Sequence, residues 1–253
     1  MRADVFLFSN GYSKSRSAAQ ALIADGGVSV NGRKIEKPSE NIDETVENKV
    51  DITAEQKFVG RGGYKLEYAL EKFGIDVIGL TAIDVGASTG GFTDCLLQRG
   101  AVKVFAVDSG EGQLDNSLAS DGRVVNIEKY NARNLKKADF NQKIDIAVMD
   151  VSFISQTLII PSLSLLLDDG AWFVSLIKPQ FEVGRSAIGK KGIVKNPKDR
   201  INAVKNVVSF AESFGFGCFG VAESAITGGD GNIEYVAAFK KGEKSKINID
   251  LKR

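Results

Sequence analysis

The sequence predicts an α/β fold: a doubly wound, mostly parallel sheet preceded by a small α+β module. Beyond residue 80, short apolar runs alternate with helical patterns, the signature of βαβ units on a parallel sheet. Ala82-Ile-Asp-Val85 runs directly into Gly86-Ala-Ser-Thr-Gly-Gly91 and then a helical stretch over 92–99. In the first sixty residues a helical pattern is followed by Asn31-Gly32 between two short β-prone runs, the strongest short hairpin signal. These features divide the chain into a module at 1–56, a link at 57–61 and a large domain at 62–253.

Composition narrows the chemistry. With 43% hydrophobic and 26% charged residues in 253, this is the balance of an ordinary globular chain. No apolar run approaches the ~18 residues a bilayer span needs. Met1-Arg-Ala-Asp-Val-Phe-Leu7 has neither a long apolar core nor a small-residue cleavage site, so no signal peptide and a cytoplasmic location are expected. Only Cys95 and Cys218 are present, and there is no histidine. Disulfide frameworks, zinc sites and histidine-based hydrolase mechanisms are therefore not expected, nor is any bound metal. Acid–base chemistry falls to Lys, Asp, Glu or Tyr.

Residues 13–25 read as a short helix with Ala18, Ala21, Leu22 and Ile23 on one side, stopped by Gly26-Gly27. Val28-Ser-Val30 and Arg33-Lys-Ile35 flank the hairpin turn, so the module is read as helix then hairpin with little core of its own. Residues 1–37 hold six basic side chains against three acidic ones, whereas 38–56 hold one lysine against six acids. A basic helix and hairpin suit a phosphate backbone. The order Lys14-x-Arg16-x-Ala18, Leu22-Ile23, Gly26-Gly27-Val28-x-Val30-Asn31-Gly32 resembles the S4 RNA-binding module. That resemblance implies RNA contacts from Lys14, Arg16, Arg33 and Lys34.

After the link, Arg61-Gly-Gly-Tyr-Lys65 opens a helix whose Leu66, Ala69, Leu70 and Phe73 form an apolar stripe. Strands are expected at 82–85, 103–107, 124–127, 144–149, 171–177, 217–222 and 235–240, and helices at 157–167 and 197–214. In such a Rossmann-like sheet the ligand lies beyond the carboxyl ends of the strands. Asp84 and the glycines follow the first strand, Asp108 ends the second, Asp150 the fourth and Lys178 the fifth. Thr227-Gly-Gly-Asp-Gly-Asn232 joins the last two strands as a hairpin, which makes one antiparallel and brings Glu234 to the same sheet edge. Lys65, Asp150, Lys178 and Glu234 are thus expected to converge.

The glycine loop is neither a phosphate loop, since no Gly-Lys-Ser/Thr follows, nor a GxGxxG dinucleotide turn. An acid at the strand end beside a loop without lysine suits a cationic ligand end. S-adenosylmethionine, with its ammonium and sulfonium, is such a ligand. The candidate contacts are Asp84, Gly86, Ala87, Ser88, Thr89, Gly90, Gly91 and Phe92, with Asp150 at a neighbouring strand end. Asp108 stands where an acid meets ribose hydroxyls, and Asn131 and Arg133 are the adenine-side candidates. Beside a methyl donor, two carboxylates would orient the Lys178 ammonium while Lys65 offsets their charge. The sequence leaves Lys178 open between a general base and a charged positioner. Residues 185–205 carry seven basic residues and one acid, which suits a polyanionic substrate. Arg185, Lys190 and Lys191, with Arg61, join the RNA-binding candidates.

Together, Arg61-Gly-Gly-Tyr-Lys65-Leu, Asp84-Val-Gly-Ala-Ser-Thr-Gly-Gly-Phe-Thr93, Ala106-Val-Asp108 with Gly112-Gln-Leu114, Asp150-Val-Ser-Phe-Ile154, Lys178-Pro-Gln-Phe-Glu182 and Gly231-Asn-x-Glu234 resemble the TlyA group. In that group of bacterial proteins an S4 module precedes an FtsJ-like methyltransferase domain. The resemblance spans essentially the whole chain and departs between Asp108 and Gly112, where family members often carry other residues. It implies S-adenosylmethionine-dependent 2′-O-methylation of a cytidine in ribosomal RNA, with ribosomal RNA or ribosomal subunits as partner. It also implies that Lys65, Asp150, Lys178 and Glu234 form the Lys-Asp-Lys-Glu tetrad of FtsJ-like enzymes. The chain is expected to act as a monomer. A membrane-active, hemolysin-like protein is the first rival, weakened by the lack of a spanning segment or strongly amphipathic basic helix. A non-catalytic RNA-binding factor is another, but it would need neither tetrad nor glycine loop. A methyltransferase acting on small molecules or protein would need no S4-like segment.

Overall fold

The computed structural model describes every residue except 14, 25, 53–56, 190–191, 229–230 and 247–253, and the side chains of all the others except 17, 21, 24 and 186. The chain divides into two compact units, Met1–Arg61 and Gly62–Arg253.

The first unit contains α1 (Ala3–Ser9), α2 (Arg16–Ala24), β1 (Val28–Val30), β2 (Arg33–Lys34) and β3 (Val50–Ile52). The strands form an antiparallel sheet in the order β2-β1-β3. Asn31 and Gly32 both take positive φ, 53° and 74°, as a tight hairpin matched to strand twist requires. Helix α1 and strand β3 were not expected. At seven and three residues they are too short to show a period, and tertiary packing forms them. The unit also has a core of its own: Ala3, Phe6 and Leu7 pack with Ala19, Leu22, Ile23, Val28, Val30 and Ile35. This corrects the expectation of a helix and hairpin with little core.

The second unit runs α3 (Gly62–Phe73), β4 (Thr81–Val85), α4 (Gly91–Gln98), β5 (Lys103–Val107), α5 (Asn116–Ala119), β6 (Val124–Ile127), β7 (Ile146–Met149), α6 (Ile160–Leu166), β8 (Trp172–Ile177), α7 (Pro179–Glu182), α8 (Pro197–Ser213), β9 (Phe216–Glu223) and β10 (Tyr235–Lys241). The sheet order is β6-β5-β4-β7-β8-β10-β9. The first five strands in that order are parallel, and β10 is antiparallel to both neighbours. Strands β4 and β7 are buried at every residue, as uninterrupted apolar runs covered on both faces should be. Helices α6 and α8 cover one face through Ile160, Leu163, Val204, Val207 and Val208. Helices α3 and α4 pack on the other. The strand order reverses between β4 and β7, the place where open α/β sheets bind ligands.

The helix expected at 157–167 is broken in two. A 3-10 turn at Gln156–Leu158 precedes α6, because Pro161 has no N–H to give and sits in the first turn of α6. Helix α8 begins where Pro197 and the Asn196 cap dictate, with the Asn196 side chain accepting the Lys198 N–H at 3.0 Å. Among the described residues, no helix is long and apolar enough to cross a membrane.

Candidate active site

Strand β4 ends at Val85 and the chain turns at Gly86, φ +86°, whose N–H donates to the Val107 carbonyl at 2.8 Å. A Cβ there would lie 2.5 Å from the Asp150 carbonyl oxygen, so only glycine lets the ends of β4 and β7 meet this closely. Asp108, just past β5, accepts the Ser88 N–H at 2.8 Å and the Gly110 N–H at 2.7 Å. One carboxylate thereby clamps two loops. Gly90 then caps α4 in a left-handed conformation, and Thr93 in its first turn donates to Asp84 Oδ2 at 2.7 Å.

Asp84 is fully buried. Burial pushes its carboxyl up to about 7, opposed by the hydrogen bonds from Thr93 and reinforced by Asp150 and Asp108. Its Oδ1 has no hydrogen-bond partner among the described residues. Leaving such an atom unmatched is costly, and a cationic donor relieves the cost. The arrangement fits the ammonium of an amino-acid cofactor.

A cavity of about 400 Å³ opens beside this loop, lined by Gly86, Ser88, Asp108, Asn131, Asp150 and Phe153 among others. The sequence named the first five of these as cofactor contacts. Asp84, Ala87, Thr89, Gly90, Gly91 and Phe92 lie on the same strand end, loop and helix start without being among the lining residues. Arg133 is not among the lining residues, but its Nε donates to Oδ1 of the lining Asn131 at 3.1 Å.

Four charged side chains meet as two ion pairs. Lys65, in the first turn of α3, donates to Glu234 Oε2 at 2.5 Å, with both side chains almost wholly buried. Lys178 follows β8 directly and lies 2.6 Å from Asp150 Oδ1, a contact off the hydrogen-bonding axis. Its Nζ also donates to Ser152 Oγ at 2.9 Å. Tyr235 pairs with Ile177, so Glu234 and Lys178 occupy adjacent positions at one sheet edge. A Cβ on Gly62 would lie 3.9 Å from Asp150 Oδ2, which sets the start of α3 over the same place. The group is formally neutral, and Asp150 is its member on the cavity wall. No three or more Cys, Asp or Glu among the described residues are placed to hold a metal ion.

The RNA-binding candidates fall in both units. Arg16 contacts Asp4, and the Arg33 guanidinium lies 3.4 Å from Glu40 Oε2. Lys34 is exposed on β2, Arg61 is half-buried, and Arg185 is exposed at the start of the 3-10 turn Arg185–Ala187. Lys14, Lys190 and Lys191 lie outside the described residues.

The FtsJ-like methyltransferase profile matches residues 58–241, and the S4 domain profile matches residues 1–47. The chain belongs to the FtsJ-like methyltransferase family. It is 44% identical over 240 residues to Hemolysin A of Brachyspira hyodysenteriae, covering 94% of this chain and 99% of that one. It is 42% identical over 234 residues to the 16S/23S rRNA (cytidine-2′-O)-methyltransferase TlyA of Mycobacterium tuberculosis, covering 92% and 87%. A solved structure described as a putative hemolysin from Streptococcus thermophilus matches with a TM-score of 0.77 at 41% identity, over 98% of this chain and 91% of that one.

In this FtsJ-like domain, three residues near the site lie within the quoted motifs but were given no role of their own from sequence. Phe153 has φ +63°, an unusual conformation for a bulky side chain, and is 92% exposed beside Phe181 with ring centres 5.1 Å apart. The available signal was an aromatic three residues past a strand-end acid. Glu182 accepts Ser155 Oγ at 2.6 Å and the Gln156 N–H at 2.9 Å, while burial pushes its carboxyl up against those bonds. Asn232 is buried, accepts the Val194 N–H at 3.1 Å and donates to the Gly192 carbonyl at 3.0 Å. It ties the basic loop to the segment that carries Glu234.

Proposed function

We propose that the protein is an S-adenosylmethionine-dependent methyltransferase acting on the 2′-hydroxyl of a cytidine in ribosomal RNA, as a cytoplasmic monomer. The observation that carries this reading is the Lys178–Asp150 pair at the wall of a cavity that the end of β4 also lines, with the half-satisfied, buried Asp84 on that strand. The named substrate of the TlyA relative supplies the choice of cytidine and ribosomal RNA.

Bound S-adenosylmethionine would supply an electrophilic methyl group on a positively charged sulfur. The chain supplies orientation and electrostatics, the usual larger share of such catalysis. Asp84 would take the cofactor ammonium, with Asp108 and Asn131 facing its ribose and base. Lys178, held by Asp150 and Ser152, would hold the ribose 2′-oxygen in line and assist loss of its proton. Lys65 and Glu234 would brace that pair from the buried side. Phe153 offers an exposed ring on which the target base can stack, a common way to hold an unpaired RNA base. The S4 unit would supply the grip on folded RNA.

The test is transfer of radiolabelled methyl to ribosomal RNA lacking the modification, with wild type and Lys178→Ala compared. The expected product resists alkaline cleavage at one cytidine and is lost in Lys178→Ala, with cofactor affinity within about twofold of wild type. Tight cofactor and RNA binding without transfer would point to a binding factor instead. Transfer that survives Lys178→Ala would keep the enzyme and overturn the role of Lys178.

A further inference from the structure

Asp4, in the first turn of α1, is completely buried. Its Oδ1 accepts Arg2 Nε at 2.9 Å and the Val5 N–H at 3.1 Å. Its Oδ2 accepts Arg2 Nη2 at 3.2 Å, Arg16 Nη2 at 2.9 Å and Gln20 Nε2 at 2.8 Å. Burial alone would raise this carboxyl, but the bonds from Arg2, Gln20 and Arg16 outweigh it and hold it well below the usual carboxylate range. The anion is saturated, whereas its cations are not hidden: the Arg2 and Arg16 side chains remain 49% and 52% exposed. Arg2 precedes α1 and Arg16 opens α2, yet their guanidinium groups share one oxygen and so stand side by side.

We propose that Asp4 is a positioning residue that fixes Arg2 and Arg16 as a two-guanidinium fork for a phosphate of structured RNA. This rests on the ribosomal RNA reading above. A guanidinium binds phosphate through paired donors in one plane, and holding that plane before the ligand arrives lowers the ordering cost of binding. Two arginines on one carboxylate leave the cluster at net +1, with donors still directed away from Asp4.

The sign of one substitution separates this from plain electrostatics. Asp4→Asn removes a negative charge beside two arginines, so if they act only as charges, affinity for any RNA rises. If Asp4 orients them, full-length Asp4→Asn binds ribosomal RNA about tenfold more weakly than wild type at fixed salt. Its affinity for unstructured polyuridylate then stays level or increases. A structural role is separated by Arg2→Lys/Arg16→Lys with and without Asp4→Asn, a background that keeps cations beside the buried carboxylate and removes the planar forks. Acting through the arginines, Asp4→Asn adds no loss of RNA affinity in that background; acting on the fold, it adds its full loss. That comparison also decides the matter if Asp4→Asn alone unfolds the first unit, which loss of hydrogen-exchange protection in α1 and α2 would reveal. Unchanged or tighter ribosomal RNA binding by a folded Asp4→Asn overturns the fork, as does extra loss in the arginine-free background. Wild type that does not prefer ribosomal RNA to polyuridylate sinks the underlying reading instead.

Discussion

A carboxyl buried as completely as that of Asp84 keeps its proton at pH values where an ordinary aspartate has ionised, with a folded value of about 7 against 3.8. The sign follows by linkage. Between pH 4 and 7 the unfolded chain releases this proton and the folded chain keeps it, so stability falls as pH rises, by roughly 4 kcal/mol in all. The cofactor ammonium prefers the ionised form, so affinity for S-adenosylmethionine should rise with pH through about 7 and then level. Below that it should weaken by at most about tenfold per unit. Titration calorimetry in two buffers of different ionisation enthalpy should show proton release on binding near pH 6.5 in wild type and none in Asp84→Asn. A pH-independent affinity would remove Asp84 from the ammonium site. The position of Asp84 was legible because a strand-end acid before a glycine turn has few places to go. Its unmatched Oδ1 was not, since that depends on Thr93 taking only the other oxygen.

Elements in the parallel half were the most legible, because strands covered on both faces must be unbroken apolar runs. The expected 103–107 coincides with the largely buried β5 and 124–127 with β6, a half-exposed edge strand that holds Asn126, whereas Ile144 is buried just before β7 without joining it. What the pattern could not show is loop conformation, and the segment after β7 is the clearest case. Glu182 holds its far end through Ser155 and Gln156, the buried Gln156 donates to the Leu176 carbonyl at 2.7 Å, and Lys178 holds Ser152. Between these anchors Phe153 is forced outward at positive φ. A ring held out in this way is expected to serve a ligand, since it contributes little to the core. Phe153→Ala should therefore lower kcat/KM for ribosomal RNA by about tenfold to a hundredfold, the worth of one stacked base. Phe153→Trp should retain most activity, and melting temperature should shift little. Loss of stability without loss of kcat/KM would make Phe153 a packing residue.

At the scale of the whole chain, residues 62–253 hold the sheet, the cavity and all four charges of the candidate tetrad, while residues 1–61 have a separate core. Chemistry and grip are thus separable in principle, and the match of the S4 profile to residues 1–47 makes the first unit the candidate for the grip. Six basic residues lie within 1–37 but six acidic ones follow within 38–56, so each unit is close to neutral and the basic clusters are local, one at 1–37 and one at 185–205. A chain of residues 62–253 should bind S-adenosylmethionine within about threefold of the full protein, because the cofactor-facing groups are intact. Its kcat/KM for ribosomal RNA should fall by at least about a hundredfold. Its affinity should depend less steeply on salt, since each lost phosphate contact removes roughly 0.7–0.9 from the log–log slope. Filter binding from low to physiological salt, alongside methyl transfer, measures both. A truncated chain that methylates at the full rate with an unchanged slope would place the RNA grip on the basic loop of the catalytic unit. A truncated chain that loses cofactor binding as well would mean that the first unit sustains the fold of the second, and the division of labour would fail.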